Sequence, residues 1–541
     1  MKRSLIFILC HLLISHIYAQ NPTQQADSLV DKIMPEKKFG LSVLLVEGDE
    51  VRYELTKGYA DVESQTKVND ETIFRVGSIT KQFTAVAVLT LVRQGKLSLE
   101  DPLIKFIPDF PKGDKVKIKH LLNHTSGIKN FTDDPDFLKQ VSKRISTAEM
   151  VKHIQQLGYD FEPGEEYKYN NSAYYLLSYL IEEVSGDSYA HYLNEKLFKP
   201  AEMHRTGLYD NSEMYTNEAK GYSFEDEKFQ DAINWDMTQA MGAGAIYSTA
   251  QDLVKWNKHL YGGKIIPHNL MDKALAPTKL NDGSDKEYGF GIAVSEYRGQ
   301  QQYGHSGGLH GFLSYLAYFP ELDAHIVVLS NCFPARYVVP ANLAHELIDL
   351  FYSNQLEENT EIDVDKSNYP AYSGRYKLIN GALMTITHEG DHLYTQLPGQ
   401  QKFEIFPKGK DEFFLKAVQA ELKFNWRGTE VASVNLKQNG MNMELTRFEE
   451  RKGIELEQGA FSRFEGEYLM KGATVKVWSE ADKYLFQVIG QPVFEILPRT
   501  ANHFFMTDMD VEIMFDEGDP APGATLYQAG MEFELERKSI K

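Results

Sequence analysis

Gly77-Ser78-Ile79-Thr80-Lys81-Gln82-Phe83-Thr84-Ala85-Val86-Ala87-Val88-Leu89-Thr90-Leu91-Val92-Arg93-Gln94-Gly95 reads as one helix that opens at its serine. Phe83, Ala85, Val86, Ala87, Val88, Leu89, Leu91 and Val92 fall on nearly every side of it, so the spacing predicts a helix buried all round. Gly95 suits its C-terminal end. Residues three apart share a helix face, which lets Lys81 bring its amine beside the Ser78 hydroxyl. A serine hydroxyl is a weak nucleophile until a base sits next to it. The helix N-terminus also favours a developing negative charge. The spacing alone is common: Ser64-Gln65-Thr66-Lys67 has it too, but in a polar stretch without helical period that reads as an exposed turn. Ser78 could equally be a plain helix cap, so the reading depends on partners.

Two further stretches supply candidates. Tyr169-Asn170-Asn171 follows a Pro163-Gly164 turn and precedes a predicted helix from Ala173 to Ser185, stopped at Gly186-Asp187. A tyrosine there can act as general acid or base if a neighbouring cation lowers its pKa. Asn171 can bond a substrate amide and the lysine. The same Tyr-x-Asn pattern recurs at Tyr192, Tyr215 and Tyr352, without that context. His305-Ser306-Gly307-Gly308 opens a strand-like region, where glycines allow close approach of a substrate backbone. A backbone N–H there, with that of Ser78, can form an oxyanion hole. The alternative is a glycine-rich turn between strands.

Around these stretches the chain alternates strands and helices. Leu41–Val46 and Val51–Gly58 read as a hairpin; Phe312–Phe319 and His325–Leu329 flank a turn at Pro320–Asp323. Helices are expected from Thr249, with Asp252 three residues on, and over Ala341–Phe351. Residues 22–355 are therefore one α+β domain and 356–368 a polar, acidic linker. Beyond it the chain repeats. Phe403-Glu404-Ile405-Phe406-Pro407 returns as Phe494-Glu495-Ile496-Leu497-Pro498, Gly399-Gln400 as Gly490-Gln491, and Phe413-Phe414 as Phe504-Phe505. Gly440-Met441 returns as Gly530-Met531, and Gly374-Arg375-Tyr376 as Gly466-Glu467-Tyr468. Blocks in one order at shifts of 90 to 92 residues mean duplication. In the first unit, strand-like runs begin near Gly374, Leu383, His392, Lys402, Glu412, Ala420, Glu430 and Met441. Eight short strands can close a small barrel without open edges. Two lipocalin-like barrels are expected, over 369–450 and 460–541, with one barrel built from both halves as the alternative. Tyr394, Phe413, Phe414, Tyr484, Phe486, Phe504 and Phe505 are expected as barrel core.

The N-terminus stands apart. Lys2 and Arg3 precede an apolar run, Leu5 to Ile17, that ends at Tyr18-Ala19-Gln20, the form of a signal peptide over 1–19. The run is short for a membrane span. A periplasmic or secreted protein is expected, with no stable membrane insertion after cleavage. Without those residues the net charge is −22, which argues against nucleic acid and anionic membranes as partners. Cys332 is then the only cysteine, too few for a disulfide within the chain or a thiolate metal site. His120 and His124 are four apart, yet no Glu follows His120 as in metalloproteases, so both read as structural. No metal and no cofactor are expected.

The three elements in this order resemble the serine β-lactamases and penicillin-binding proteins, in the branch of the class C β-lactamases and D-alanyl-D-alanine carboxypeptidases. Phe74-Arg75-Val76-Gly77, His120-Leu121-Leu122-Asn123-His124-Thr125-Ser126-Gly127 and Gly242-Ala243-Gly244 are similar to the same family. The resemblance covers about residues 36–352. It implies a β-lactamase/transpeptidase-like domain, an antiparallel sheet flanked by helices plus a helical subdomain, ahead of the two small all-β barrels. It implies Ser78 as nucleophile and Lys81 and Tyr169 as the proton-transfer pair. Asn171 would orient substrate, and Gly308 would give the second oxyanion N–H. His305 would stand where the family usually has the lysine of Lys-Thr-Gly. A histidine of ordinary pKa is mostly neutral at neutral pH, which moves the expectation from a dedicated β-lactamase toward a D-amino-acid peptidase, amidase or esterase. The substrate would be a small peptide, amide, ester or β-lactam. The alternatives are a class C-type β-lactamase, an acylatable β-lactam or peptidoglycan sensor, and a barrel-based binding protein with a vestigial hydrolase domain.

Overall fold

A computed structural model describes residues 21–34, 38–134, 136–225, 228–333, 338–378, 381–398, 400–416, 420–438, 441–449, 451–457, 459–470, 473–480, 483–489, 491, 493–528 and 531–538. The expected signal peptide, and the repeat glycines Gly399, Gly440, Gly490 and Gly530, lie outside the described residues. The chain forms two compact units, Met1–Glu357 and Glu358–Lys541.

In the first unit, α1 (Pro22–Ile33) precedes the hairpin β1 (Leu41–Glu47) and β2 (Glu50–Lys57). Then come α2 (Thr80–Arg93), α3 (Asn171–Ser185) and α4 (Ala250–Tyr261). Four strands follow, β3 (Ala293–Tyr297), β4 (Gln300–Leu309), β5 (Phe312–Phe319) and β6 (Ala324–Ser330), and α5 (Pro340–Tyr352) closes the unit. The strands form one antiparallel sheet, β3-β4-β5-β6-β1-β2. The N-terminal β1 pairs with β6, from Leu41 opposite Ser330 to Glu47 opposite Ala324. That pairing makes β6 a central strand buried on both faces, which explains its unbroken apolar run. Alternate side chains serve two cores. Leu41, Val43 and Leu45 pack with Ala341, Leu347 and Ile348 of α5 and Val30 of α1. Leu44, Val46, Val327 and Leu329 face the other core, with Trp256 and Leu260 of α4 and the residues of α2. Helices therefore cover both faces.

α2 is buried from Thr80 to Leu91, as its apolar circumference requires. The helix differs from expectation at its start: Gly77–Ile79 forms a 3₁₀ turn, and the α-helix proper begins at Thr80. α3 is capped by Asn170, whose side chain accepts from the Ala173 N–H, and ends at Gly186. Thr249 caps α4 by accepting from Asp252 N–H. Among the described residues, no helix is long and apolar enough to cross a membrane.

The second unit holds two closed eight-stranded antiparallel barrels, so each repeat closes on itself and the single shared barrel is excluded. The first closes where Arg375 pairs with Phe448, the second where Tyr468 pairs with Arg537. The strand starts agree with the periodicity to within a residue, from Gly374–Lys377 to Met441–Phe448. Phe413, Phe414, Phe486, Phe504 and Phe505 are buried, and Tyr394 and Tyr484 half-buried. A tyrosine knits each barrel base in the same way: Tyr376 Oη donates to Tyr372 O and Tyr468 Oη to Phe464 O, both at 2.7 Å.

Candidate active site

The turn that carries Ser78 is held on two sides. Val76 N–H donates to Ile246 O at 2.9 Å. Val76 O accepts from the Ser314 hydroxyl of β5 at 2.8 Å. β4 approaches it very closely. A Cβ on Gly77, where φ is +50°, would lie 2.8 Å from Gly308 N, and one on Gly307 would lie 2.0 Å from Val76 O. Both positions accept only glycine, and that places Gly308 against the nucleophile turn.

Strand register aims the Gly308 amide. β4 and β5 are joined by a two-residue turn, so Leu309 and Phe312 form the closing hydrogen-bonded pair. In an antiparallel ladder such pairs alternate with open ones. Gly307 and His305 are then bonded to β5, while the N–H groups of Ser306 and Gly308 point away from it. β3 does not reach them, since its pairing ends with Ala293 opposite Gly304. Ser306 and Gly308 are accordingly exposed. Ser78 N–H sits in the opening turn, where a helix leaves its first amides without intrahelical acceptors.

Lys81 is fully buried. Its Nζ donates to Ser78 Oγ at 3.0 Å, to Asn171 Oδ1 at 2.8 Å and to Ala243 O at 2.8 Å. Among the described residues it has no ion-pair partner, and burial holds its pKa well below the ordinary lysine value. Two of its three partners, Asn171 Oδ1 and Ala243 O, are pure acceptors and claim two N–H bonds. The third direction, toward Ser78, is left for an N–H when the amine is charged or for a lone pair when it is neutral. Asn171 is itself held, its Nδ2 donating to Thr132 Oγ1 at 3.0 Å and its N–H to Asn130 Oδ1 at 3.0 Å. Its amide is thus spent chiefly on orienting Lys81.

Tyr169 lies with its ring centroid 4.7 Å from Lys81 Nζ. Its ring is half-buried, but its hydroxyl is sealed from solvent and, among the described residues, within bonding geometry of no partner. Burial raises its pKa; the nearby Ser78 hydroxyl acts the other way and is outweighed. The condition set for an acid–base role, a cation lowering this pKa, is not met: burial of the hydroxyl penalises the phenolate and decides the direction.

His305 is engaged on both nitrogens. Nδ1 lies 2.5 Å from Ser306 O, which makes Nδ1 the protonated nitrogen, so Nε2 accepts from Tyr288 Oη at 2.9 Å. Burial first, then the charge of Lys81, pushes its pKa down to about 3. His305 is a neutral group locked to Tyr288.

All six predicted site residues gather here. Sequence reading passed over Tyr288, Thr132, the Ala243 carbonyl and the place of His124, whose ring centroid lies 4.5 Å from that of Tyr169. Tyr288 carries a faint signal, the glycines Gly289 and Gly291 just after it; a backbone carbonyl acceptor carries none, since every residue has one. His120 Nδ1 accepts from Lys117 N–H, and among the described residues no group of three His, Cys, Asp or Glu could hold a metal.

Residues 26–349 match the family described as Beta-lactamase. The chain belongs to this family. Residues 358–451, which contain the strands of the first barrel, match the domain of unknown function DUF3471. Penicillin-binding protein 4* of Bacillus subtilis is 28% identical over 456 residues, 79% of this chain and 99% of that protein. A teichoic acid D-alanine hydrolase of Staphylococcus aureus is 29% identical over 269 residues, 50% of this chain and 64% of its own length. The solved octameric penicillin-binding protein homologue from Pyrococcus abyssi is 25% identical, with a TM-score of 0.55 over 76% of this chain and 97% of its own.

Proposed function

We propose that this β-lactamase family member is an exported serine hydrolase that cleaves amide or ester bonds of D-amino-acid compounds through an acyl-enzyme on Ser78. The observation that carries the reading is the buried Lys81 amine, 3.0 Å from Ser78 Oγ, with its other bonds committed elsewhere. As Ser78 Oγ attacks the carbonyl carbon, its proton passes to neutral Lys81 Nζ. The carbonyl oxygen takes up negative charge between the N–H groups of Ser78 and Gly308. The proton goes on to the leaving amine or alcohol, with the un-ionised Tyr169 hydroxyl as its relay. Water then attacks the acyl carbon, gives a proton to Lys81, and Ser78 leaves with it.

A neutral His305 offers no fixed charge to a substrate carboxylate, which favours uncharged amides and esters over penicillins. The named D-alanine hydrolase among the relatives supports a D-alanyl substrate. Export rests on the basic head and apolar run before Gln20.

The parent should turn over D-aminoacyl amides and p-nitrophenyl esters, and Ser78→Ala should not; equal rates would sink the hydrolase. Intact-mass analysis after β-lactam exposure sharpens the test. A stable adduct on a protein that turns over none of these substrates would make it an acylated receptor instead. Export predicts a mature N-terminus at Gln20 outside the cytoplasm, and an intact Met1 would overturn it.

A further inference from the structure

The segment 123–132 lies along the stretch that holds Tyr169 and Asn171, bonded to it at nearly every turn. Ile128 O accepts from Asn170 Nδ2, Lys129 O from the Ser172 hydroxyl, and Asn130 Oδ1 from Asn171 N–H. His124 grips this stretch on both sides of Tyr169. Its carbonyl accepts from Lys168 N–H at 3.0 Å, and its Nδ1 accepts from Asn170 N–H at 3.1 Å. Its ring lies against Tyr169 at 4.5 Å between centroids, tilted by 45°. Tyr174 and Tyr288 confine the same ring at 5.1 and 4.8 Å.

The cost of holding a histidine there is visible. Its backbone takes φ = +62°, a conformation uncommon outside glycine, though histidine enters it more readily than most residues. The side chain is almost wholly buried, and because Nδ1 accepts, the neutral ring carries its proton on Nε2, which has no hydrogen-bond partner among the described residues. A buried unpaired N–H is normally selected against. An apolar residue of similar size would fill the space without it, but could not accept from Asn170.

We infer that His124 is a positioning residue for Tyr169: by fixing the amides of Lys168 and Asn170, and by packing on the ring between them, it sets the phenol in the place from which it relays the proton. This rests on the hydrolase reading above. Among the described residues His124 makes no hydrogen bond to Ser78 or Lys81; its bonds go to the amides on either side of Tyr169.

The inference predicts a pattern among variants of the full chain. Asparagine carries an oxygen where histidine carries Nδ1, and it tolerates positive φ. His124→Asn should therefore keep kcat within roughly tenfold of the parent, while His124→Phe, which keeps the ring and loses the acceptor, should lose roughly 100-fold in kcat with KM little changed. In a Tyr169→Phe background, His124→Phe should cost almost nothing more, because residues acting as one unit are not additive. Thermal melts of each variant report folding separately. His124→Phe and Tyr169→Phe losses that multiply would overturn the inference, as would equal losses in His124→Asn and His124→Phe. A parent no faster than Ser78→Ala in the same assay would instead overturn the hydrolase reading, and this role with it.

Discussion

The two units of the chain bury different things. The first encloses a lysine, several histidines and a set of tyrosine hydroxyls around Ser78; Lys81, His124 and His305 are all nearly inaccessible. In the second, among the described residues, no charged side chain is buried, and the core is Tyr376, Phe413 and Phe424 in one barrel and Phe464, Tyr468 and Phe504 in the other. Burying a polar group costs free energy unless it is paired. The first unit carries that cost where chemistry is proposed. The barrels avoid it, and their cores are those of parts selected for shape and stability.

This contrast can be broken in order of effect. Ser78→Ala should lower turnover by roughly 10⁴-fold or more, and a smaller loss in steady-state assays would mean the buried polar set is not the catalytic one. Lys81→Met should cost roughly 10²–10⁴-fold in kcat as the general base is removed. The same variant leaves Asn171 Oδ1 and Ala243 O without this donor, so its stability is informative as a trend with pH. Neutral buried Lys81 binds fewer protons folded than unfolded, so parent stability rises with pH up to the ordinary lysine range. The stability of Lys81→Met relative to the parent should then be highest at low pH and fall toward pH 10, and the opposite trend would contradict the lowered pKa.

In the barrels the expectation is inverted. Arg537 Nη1 donates at 3.1 Å to Arg463 O, Tyr468 Oη and Ala521 O. Arg537→Met leaves these acceptors unpaired and should destabilise the second barrel by about 1–3 kcal/mol, with turnover at the Ser78 site unchanged. A parallel loss of turnover would tie the barrels to catalysis.

Acid supplies a milder test. Burial lowers the pKa of His120, His325 and His345 to about 4 and that of His305 to about 3. Below the unfolded value of 6.5 the unfolded chain takes up protons that the folded first unit refuses, so stability is lost as pH falls from 6.5 toward 4. Calorimetry over that range should show the transition of the first unit moving down more than that of the barrels.

Much of this was legible in advance. The all-round apolar run after Ser78 could only be an interior helix, and the ordered repeats with their eight strand-like runs could only be a duplicated β unit. Ser78 and Lys81 were legible from helical spacing only together with the stretches at Tyr169 and His305, since Ser64 and Lys67 share the spacing. His305 was legible as a position but not as a state: its neutrality depends on burial and on the nearness of Lys81, and its orientation on the hydroxyl of Tyr288, seventeen residues earlier. Tyr169 was legible as a member of the site, yet the direction of its pKa shift was not, since a cation and burial oppose each other and only depth of burial decides between them.

The sequence by itself determined the periodic features: a buried helix with serine and lysine on one face, alternating strands, and a repeat of about ninety residues. These follow from local geometry, which neighbours in the chain set. Only the tertiary structure decided the protonation and orientation of the site. Lys81 meets Asn171 and Ala243 across 90 and 162 residues, and His124 meets Asn170 across 46. Solvent exclusion and hydrogen-bond direction arise at such meetings, and no local pattern encodes them.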